Sequence, residues 1–333
     1  ILDPAAGTLT FVAEAMKKAI DEFTAKYGKG GREDFIREHI MENFYAFELM
    51  IAPYAIGHLK ISFLLEELGT KLRDEKMKFY LTNTLEMEEV EQTSLPGMAS
   101  LAEESRKAGE VKRRIPILSI FGNPPYSVSS ANRSVFIEKE MELYKEDVRD
   151  ERNIQPLSDD YIKFIRFAHW KIERNGRGII GYISNNSYLS GLIHRGMRKK
   201  LLDSFDEIYI LNLHGSSRIG ERTPNGSKDE NVFDIQQGVA ITLFIKLDKP
   251  KQTKKTYYAD VWGTRYEKYN YLDNNSIETT DWNEIYPTPP YYFFEKKEFA
   301  EAEYNKFVPL VNVFRKYSNG IKTHRDHFVV GYS

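Results

Sequence analysis

The chain has 333 residues, enough to bury a sizeable core as one large domain or two ordinary ones. Hydrophobic residues make up 41% and charged residues 29%, which excludes a disordered chain, and no uninterrupted apolar run is long enough to span a bilayer. Lys and Arg number 47 against 49 Asp and Glu, so no global positive field advertises a nucleic-acid partner, and the absence of cysteine excludes disulfides, thiolate metal sites and cysteine nucleophiles together.

The opening residues Ile1-Leu2-Asp3 lack a methionine and read as the end of a buried strand, so the chain is expected to be a piece of a longer protein. Residues 9–27 carry Phe11, Val12, Ala15, Met16, Ala19, Ile20 and Phe23 at helical spacing, and Gly28, Gly30 and Gly31 end the run. A helix at 33–42 leads to a strand at Phe44–Phe47, and another helix covers 52–68. A strand at Lys78–Leu81, a charged helix around 99–113 and a strand at Ile115–Phe121 follow. Beyond Asn123 the pattern gives a helix at 159–174, a strand at Ile179–Ser184 and a helix at 195–204. Two long strands, Glu207–Leu213 and Val239–Leu247, flank a polar, Gly-bearing loop at Gly215–Asn231 that is expected to be mobile or ligand-facing.

Alternation of this kind predicts an α/β fold, a mostly parallel sheet with helices on both faces. The two late strands, with no helix between them, are expected as an antiparallel pair at one edge. From Pro250 the composition shifts toward aromatics, among them Tyr257, Tyr258, Trp262, Tyr266, Tyr269, Tyr271 and Trp282. Residues 1–248 are therefore read as one α/β domain, and 249–333 as a linker and the start of an irregular α+β unit.

The strongest local signal is Asn123-Pro124-Pro125-Tyr126, directly after an apolar strand. Two consecutive prolines cannot sit inside a central strand, and Pro124 holds Asn123 away from helical geometry. The result is a rigid extended loop at a strand's carboxyl end, where ligands bind in open α/β sheets. Its chemistry suits a planar amine such as adenine N6, whose lone pair is delocalised into the ring. Two acceptors, the Asn123 side-chain carbonyl and the Pro124 backbone carbonyl, can draw that nitrogen toward tetrahedral geometry as it attacks a sulfonium methyl. Tyr126 offers a face for stacking the base, a contact worth roughly 1–3 kcal/mol. The prolines fix this arrangement before substrate arrives.

A second signal is the turn Asp3-Pro4-Ala5-Ala6-Gly7-Thr8-Leu9-Thr10-Phe11, where small residues join a strand to a helix. Backbone N–H groups there can approach a ligand, and Asp3 can accept from its amine. Glu48 is the first acid after the second strand, suited to both hydroxyls of a ribose; the helix at 33–42 accounts for a spacing longer than the usual ~20 residues. Asn83 ends the third strand and can hydrogen-bond an adenine. Each of these is also an ordinary turn or surface residue when taken singly. Four consecutive strand ends carrying small residues, an acid, an amide and the Pro-Pro loop are the stronger observation.

At these residues the chain resembles the N6-adenine DNA methyltransferases of bacterial restriction-modification systems, and within them the methyltransferase module of the type IIG and type ISP enzymes. The resemblance runs over residues 1–248 and also takes in Tyr80–Glu86, Asp159-Asp160-Tyr161, Ser184–Tyr188, Leu213-His214-Gly215 and Asp229–Asp234. It implies a Rossmann-like S-adenosylmethionine-dependent fold of the gamma class. Asn123, Pro124, Pro125 and Tyr126 then match the catalytic motif, and Asp3, Pro4, Ala5, Gly7, Thr8, Phe11, Glu48 and Asn83 the cofactor site. The resemblance further implies double-stranded DNA as partner, nuclease and helicase regions upstream in a longer parent, a target recognition unit beginning in 249–333, and the bacterial cytoplasm.

Leu9 stands where the family has a second glycine, which predicts crowding of the cofactor and leaves an inactive DNA-binding or scaffold module as the alternative. Cytosine C5 methylation needs a cysteine that the chain lacks, and N4-cytosine enzymes have Ser or Asp in place of Asn123. Protein-glutamine methyltransferases share an Asn-Pro-Pro-Tyr loop, since their target amide is also planar. Arg195, Arg198, Lys199, Lys200, Arg218 and Arg222 are candidate phosphate contacts.

Overall fold

A buried two-residue strand, β1 (Leu2–Asp3), pairs in parallel with β2 (Tyr45–Glu48) on one side and with β4 (Ser119–Gly122) on the other. The computed structural model describes residues 1–70, 76–87, 98–127, 130–296, 306–314 and 316. Among them lie β3 (Lys78–Leu81), β5 (Gly178–Asn185), β6 (Glu207–His214), β7 (Val239–Lys246), β8 (Lys255–Asp260) and β9 (Asn283–Ile285). The sheet order is β3-β2-β1-β4-β5-β7-β6-β8-β9. β7 runs antiparallel to both β5 and β6, β8 is parallel to β6, and β9 is antiparallel to β8. From β1 the chain steps outward to β2 and β3 and then returns to β4 on the other flank of β1. That reversal opens a crevice at the carboxyl ends of β1 and β4.

The helices are α1 (Thr10–Tyr27), α2 (Arg32–Phe35), a π-helical turn Ile36–Ile40, α3 (Met41–Asn43), α4 (Ile51–Glu67), α5 (Met98–Arg113), α6 (Val135–Lys145), α7 (Asp160–Asn175), α8 (Ser187–Ser190), α9 (Arg195–Ser204) and α10 (Arg265–Asn274). In α1 the buried residues Val12, Ala13, Met16 and Ile20 recur every three or four positions. They share one apolar cluster with Ile36, Ile40, Ala46, Ile61, Leu65 and Phe79. Phe47, one residue on from Ala46, joins a second cluster with Ile120, Ile180 and the buried sides of α6, α7 and α9. The period-two alternation of β2 thus separates the two helical layers. Each fully buried aliphatic side chain contributes about 1.5–3 kcal/mol relative to exposure.

Several elements differ from expectation. The strand at 115–121 is confined to Ser119–Gly122. Helix α6 went unassigned by pattern, although Ser134 caps it by accepting from the Ile137 N–H. The antiparallel pairing of the late strands is present, but that pair does not form the edge. β7 lies between β5 and β6, and β8 and β9 continue the sheet. The connection expected to separate two units after residue 248 thus leads into β8 of the same sheet. α10 follows through a capping box between Thr264 and Glu267.

Ile1–Lys296 form one compact unit and Lys297–Ser333 a second, in which a short helix, Leu310–Val313, is described. Residues 297–305, 315 and 317–333, part of the stretch expected to open a second unit, lie outside the described residues. Among the described residues no helix is long and apolar enough to cross a membrane.

Candidate active site

The loop after β1 turns at Gly7 (φ 53°), and nothing stands within 4 Å of where a Cβ would project there. Three contacts hold the turn: the Ala6 N–H donates to the Phe47 carbonyl (2.9 Å), the Gly7 N–H to Glu48 Oε2 (2.8 Å), and the Thr84 hydroxyl to the Pro4 carbonyl. Glu48 Oε1 accepts from the Met50 N–H (2.7 Å). Each oxygen of this half-buried carboxylate keeps a second lone pair for a ligand hydroxyl. Phe11, in the first turn of α1, is exposed.

Leu9 adopts the left-handed conformation (φ 61°, ψ 33°) that explains a glycine preference, at a cost of about 1–2 kcal/mol. Its side chain is fully buried in the α1–α4 cluster. Leu9 Cγ lies 3.1 Å from the position of a Gly57 Cβ, so the bulk added at 9 occupies room left by a glycine in α4. The expected crowding is corrected: the isobutyl group points into the core.

Asp3 is completely buried at the end of β1. Its Oδ1 accepts from the Ala5 N–H (3.1 Å), while Oδ2 has no partner. Burial raises its pKa to about 7, with the Ala5 N–H acting against the rise and the Glu48 charge adding to it.

Asn123 follows Gly122, the last residue of β4. The Tyr126 hydroxyl donates to Asn123 Oδ1 (2.8 Å), which fixes the amide and leaves one lone pair of that oxygen free. Burial, with the Asp159 charge adding, holds the Tyr126 phenol far above its ordinary pKa, so it remains a donor. The Tyr126 ring meets Tyr161 edge-on at 6.1 Å. Beyond the tetrapeptide the loop is tied to the start of α7, with the Ser127 N–H donating to Asp159 Oδ1 (2.7 Å) and the Asp160 N–H to the Ser127 carbonyl (3.2 Å).

Asn83, expected to face a cofactor base, is committed within the protein. Its Nδ2 donates to Asn132 Oδ1 (2.9 Å) and Glu86 Oε1 (3.0 Å). Asn132 Nδ2 donates in turn to Asp160 Oδ1 (2.8 Å). A hydrogen-bonded chain therefore runs from the end of β3 to the anchor of the Asn123 loop. Sequence reasoning missed Asn132, and also Lys112, whose ammonium donates to Thr82 Oγ1 and to the carbonyls of Asn83 and Glu86. Burial lowers the Lys112 pKa to about 8, opposed by Glu86. The Ser134 cap and the apolar spacing Phe136, Ile137, Met141 were the available signal for the Asn132 neighbourhood; Lys112 offered none.

The loop from Gly215 to Asn231 is held fast at several points. His214 sits between Glu221 Oε1 (2.8 Å) and Asp260 Oδ1 (2.7 Å) and stacks on Trp262 at 3.4 Å. Burial disfavours its imidazolium, but the carboxylates of Asp260 and Glu221 outweigh that and raise its pKa. Lys268 of α10, fully buried, bonds Asp229 (2.9 Å) and the carbonyls of Leu213 and Glu230 (both 2.6 Å).

The basic residues of α9 are also committed. Arg195 pairs with Glu151 (2.8 Å), Lys199 with Asp147 (3.5 Å) and Lys200 with Glu146 (2.7 Å). Arg198 is buried and donates to the carbonyls of Tyr188, Gly191 and Tyr291. Arg198 is corrected as a phosphate contact because it is fully buried, whereas Arg195, Lys199 and Lys200 are already paired with acids. Arg218 and Arg222 lie exposed on the loop after β6.

No family model matches the chain, and no curated protein matches it. Solved structures do. The "ATP-dependent Type ISP restriction-modification enzyme LlaBIII bound to DNA" is 27% identical with a TM-score of 0.76, covering 91% of this chain and 20% of that one. A nuclease-deletion mutant of the type ISP enzyme LlaGI with a DNA substrate mimic is 25% identical with the same TM-score, over 93% of this chain and 25% of that chain. The DrdV–DNA complex gives 25% identity and a TM-score of 0.71 over 92% and 29%. The chain thus spans between a fifth and a third of the length of these proteins. Over nine-tenths of its length it matches the fold of a part of type ISP restriction-modification enzymes.

Proposed function

We propose that the chain is the S-adenosylmethionine-dependent methyltransferase module of a restriction-modification enzyme and that it methylates the N6 amine of adenine in DNA. The observation that carries this reading is the rigid Asn123–Tyr126 loop at the end of β4, beside the buried Asp3 at the end of β1, in the crevice where the sheet reverses direction. The residues fit the cofactor: Asp3 Oδ2 is a buried acceptor without a donor, Gly7 leaves its surroundings open, and Leu9 is turned away. Asp3, Gly7, Thr8 and Glu48 would hold it, and when bound it supplies an electrophilic methyl group on a sulfonium.

Asn123 Oδ1 and the Pro124 carbonyl accept from the two N6–H groups and localise the nitrogen lone pair. Tyr126 keeps the Asn123 oxygen oriented and presents its ring to the base. Neither acceptor is basic, so the proton lost from N6 passes to water. The adenine reaches this loop by leaving the duplex, at an unstacking cost of a few kcal/mol. Arg218 and Arg222 contact phosphates nearby. Residues 249–333 lead toward the recognition unit that chooses the target sequence. LlaBIII, LlaGI and DrdV, each solved with DNA or a DNA mimic, support this reading.

The test is a methylation assay of the intact parent enzyme on DNA, with the modified base identified by mass spectrometry. N6-methyladenine is expected, and Asn123→Ala should lower turnover by about 10²–10³, the size seen when a transition-state hydrogen bond is removed. N4-methylcytosine, a methylated protein glutamine, or full-rate transfer by the variant would refute the assignment.

A further inference from the structure

Strands β3 and β4 are not neighbours, because β2 and β1 lie between them. The segments that follow them nevertheless meet. Asn83 Nδ2 donates to Asn132 Oδ1 at 2.9 Å, and the Ser134 hydroxyl donates to the Leu85 carbonyl. On one side of this contact, the Thr84 hydroxyl donates to the Pro4 carbonyl in the turn after β1. On the other, Asp160 Oδ1 accepts from Asn132 Nδ2 (2.8 Å) and from the Ser130 hydroxyl (2.5 Å). The Asp160 N–H donates to the carbonyl of Ser127, whose own N–H is held by Asp159. Ser127 directly follows Tyr126. Asn132 therefore stands between the segment that abuts the cofactor turn and the start of α7 that grips the Asn123 loop.

The direction of each amide is set by what it meets. Glu86 and Asp160 are carboxylates, which only accept. Asn83 turns its NH2 group toward Glu86 Oε1 (3.0 Å) and Asn132 turns its own toward Asp160, so Asn132 Oδ1 is left facing Asn83. The backbone of Asn132 is engaged as well: its N–H donates to Ser130 Oγ (3.1 Å), and its carbonyl accepts from the Lys163 ammonium. Lys163, 1% exposed, also reaches Ser130 Oγ and Glu138 Oε1 (both 3.2 Å). A residue fixed at four points moves only with its partners. Asn83 has spent both amide hydrogens, but its Oδ1 accepts from the Leu85 N–H alone (3.1 Å) and keeps a lone pair for a ligand donor.

We propose that Asn132 is a positioning residue that couples the two halves of the site. A ligand amine held on Asn83 Oδ1 steadies Asn132 and, through Asp160 and Ser127, the Asn123–Tyr126 loop. By reciprocity, a base held on that loop steadies Asn83. Naming S-adenosylmethionine and adenine as the two ligands rests on the function proposed above; the link between the loops does not. Asn132 touches neither ligand, and nothing is transferred through it.

The experiment follows hydrogen exchange at the Ser127 and Asp160 N–H groups in the parent protein, Asn132→Ser, Asn83→Ala and the double variant. Serine keeps a hydroxyl to answer Asp160 but is too short to reach Asn83 as well. Without ligand, each single variant should speed exchange at Ser127 about tenfold while leaving β6 and β7 unchanged. The double variant should be no faster than either single one.

Saturating S-adenosylhomocysteine, which has no methyl group to give, should slow exchange at Ser127 about tenfold in the parent and less than about twofold in Asn132→Ser. Its Kd should differ by less than about threefold between the two, since the closed loop still predominates in both. Ser127 exchange that Asn83→Ala leaves at the parent rate, or effects of the two variants that multiply, overturns the proposal, as does exchange that quickens equally in β6 and β7. Equal protection by S-adenosylhomocysteine in the parent and in Asn132→Ser overturns its ligand-coupling half. The expected mutational pattern in a parent that binds no S-adenosylhomocysteine upholds the link and rejects the cofactor reading instead.

Discussion

Two ends of one sheet edge are built on opposite principles. Around β6 and β8, His214 is gripped by two carboxylates and a tryptophan face, Asn212 Nδ2 donates to the Tyr258 hydroxyl, and Lys268 closes a buried pair with Asp229. Around β1 and β4, an Asp3 oxygen and the Tyr182 hydroxyl lack partners, and Leu9 holds a left-handed backbone. Unmatched buried groups cost stability, and a fold keeps them where a ligand completes the set. The first region is finished by its own residues and acts as a staple; the second is organised around something that arrives.

The comparison is broken most forcefully at Lys268. Lys268→Met strands a buried Asp229 charge and two carbonyl acceptors, and should cost about 3–5 kcal/mol in denaturant unfolding. A loss below about 1 kcal/mol would mean that the region is no staple.

A smaller effect is expected at Leu9, where the two regions' logic meets in one residue. Leu9→Gly relieves the backbone but empties a buried site, for a net loss of about 1–3 kcal/mol, with cofactor affinity unchanged. Tighter cofactor binding by Leu9→Gly would show that the side chain reaches the crevice after all.

The smallest effect separates committed from available charge. Neutralising Arg218 and Arg222 to Gln should reduce the slope of log affinity for DNA against log salt by about 2. The same change at Lys199 and Lys200, already paired with Asp147 and Glu146, should leave the slope alone. Equal slopes for the two double variants would remove the distinction.

The frame of this protein was legible from residue pattern wherever the signal was local. Periodic apolar faces placed α1, α4, α7 and α9, and apolar runs placed β2, β3, β5, β6 and β7. The strand β8 was hidden because its tyrosines, Tyr257 and Tyr258, are adjacent rather than alternating and its partner, β6, lies some fifty residues earlier, and β9, only three residues long, pairs with β8. The basic run of α9 read as a DNA surface, since nothing in its own sequence announces the acids at Glu146, Asp147 and Glu151.

By itself the sequence determined the rigid proline-braced loop after β4, the small-residue turn after β1 and the acid after β2. Backbone restrictions of that kind act within a few residues and need no distant partner. Tertiary structure alone decided that Leu9 fills the hollow at Gly57, that Arg198 is buried, and that the Asp3 carboxylate takes the space over Gly122. Those facts depend on strand register and helix packing, which bring together residues far apart in the chain.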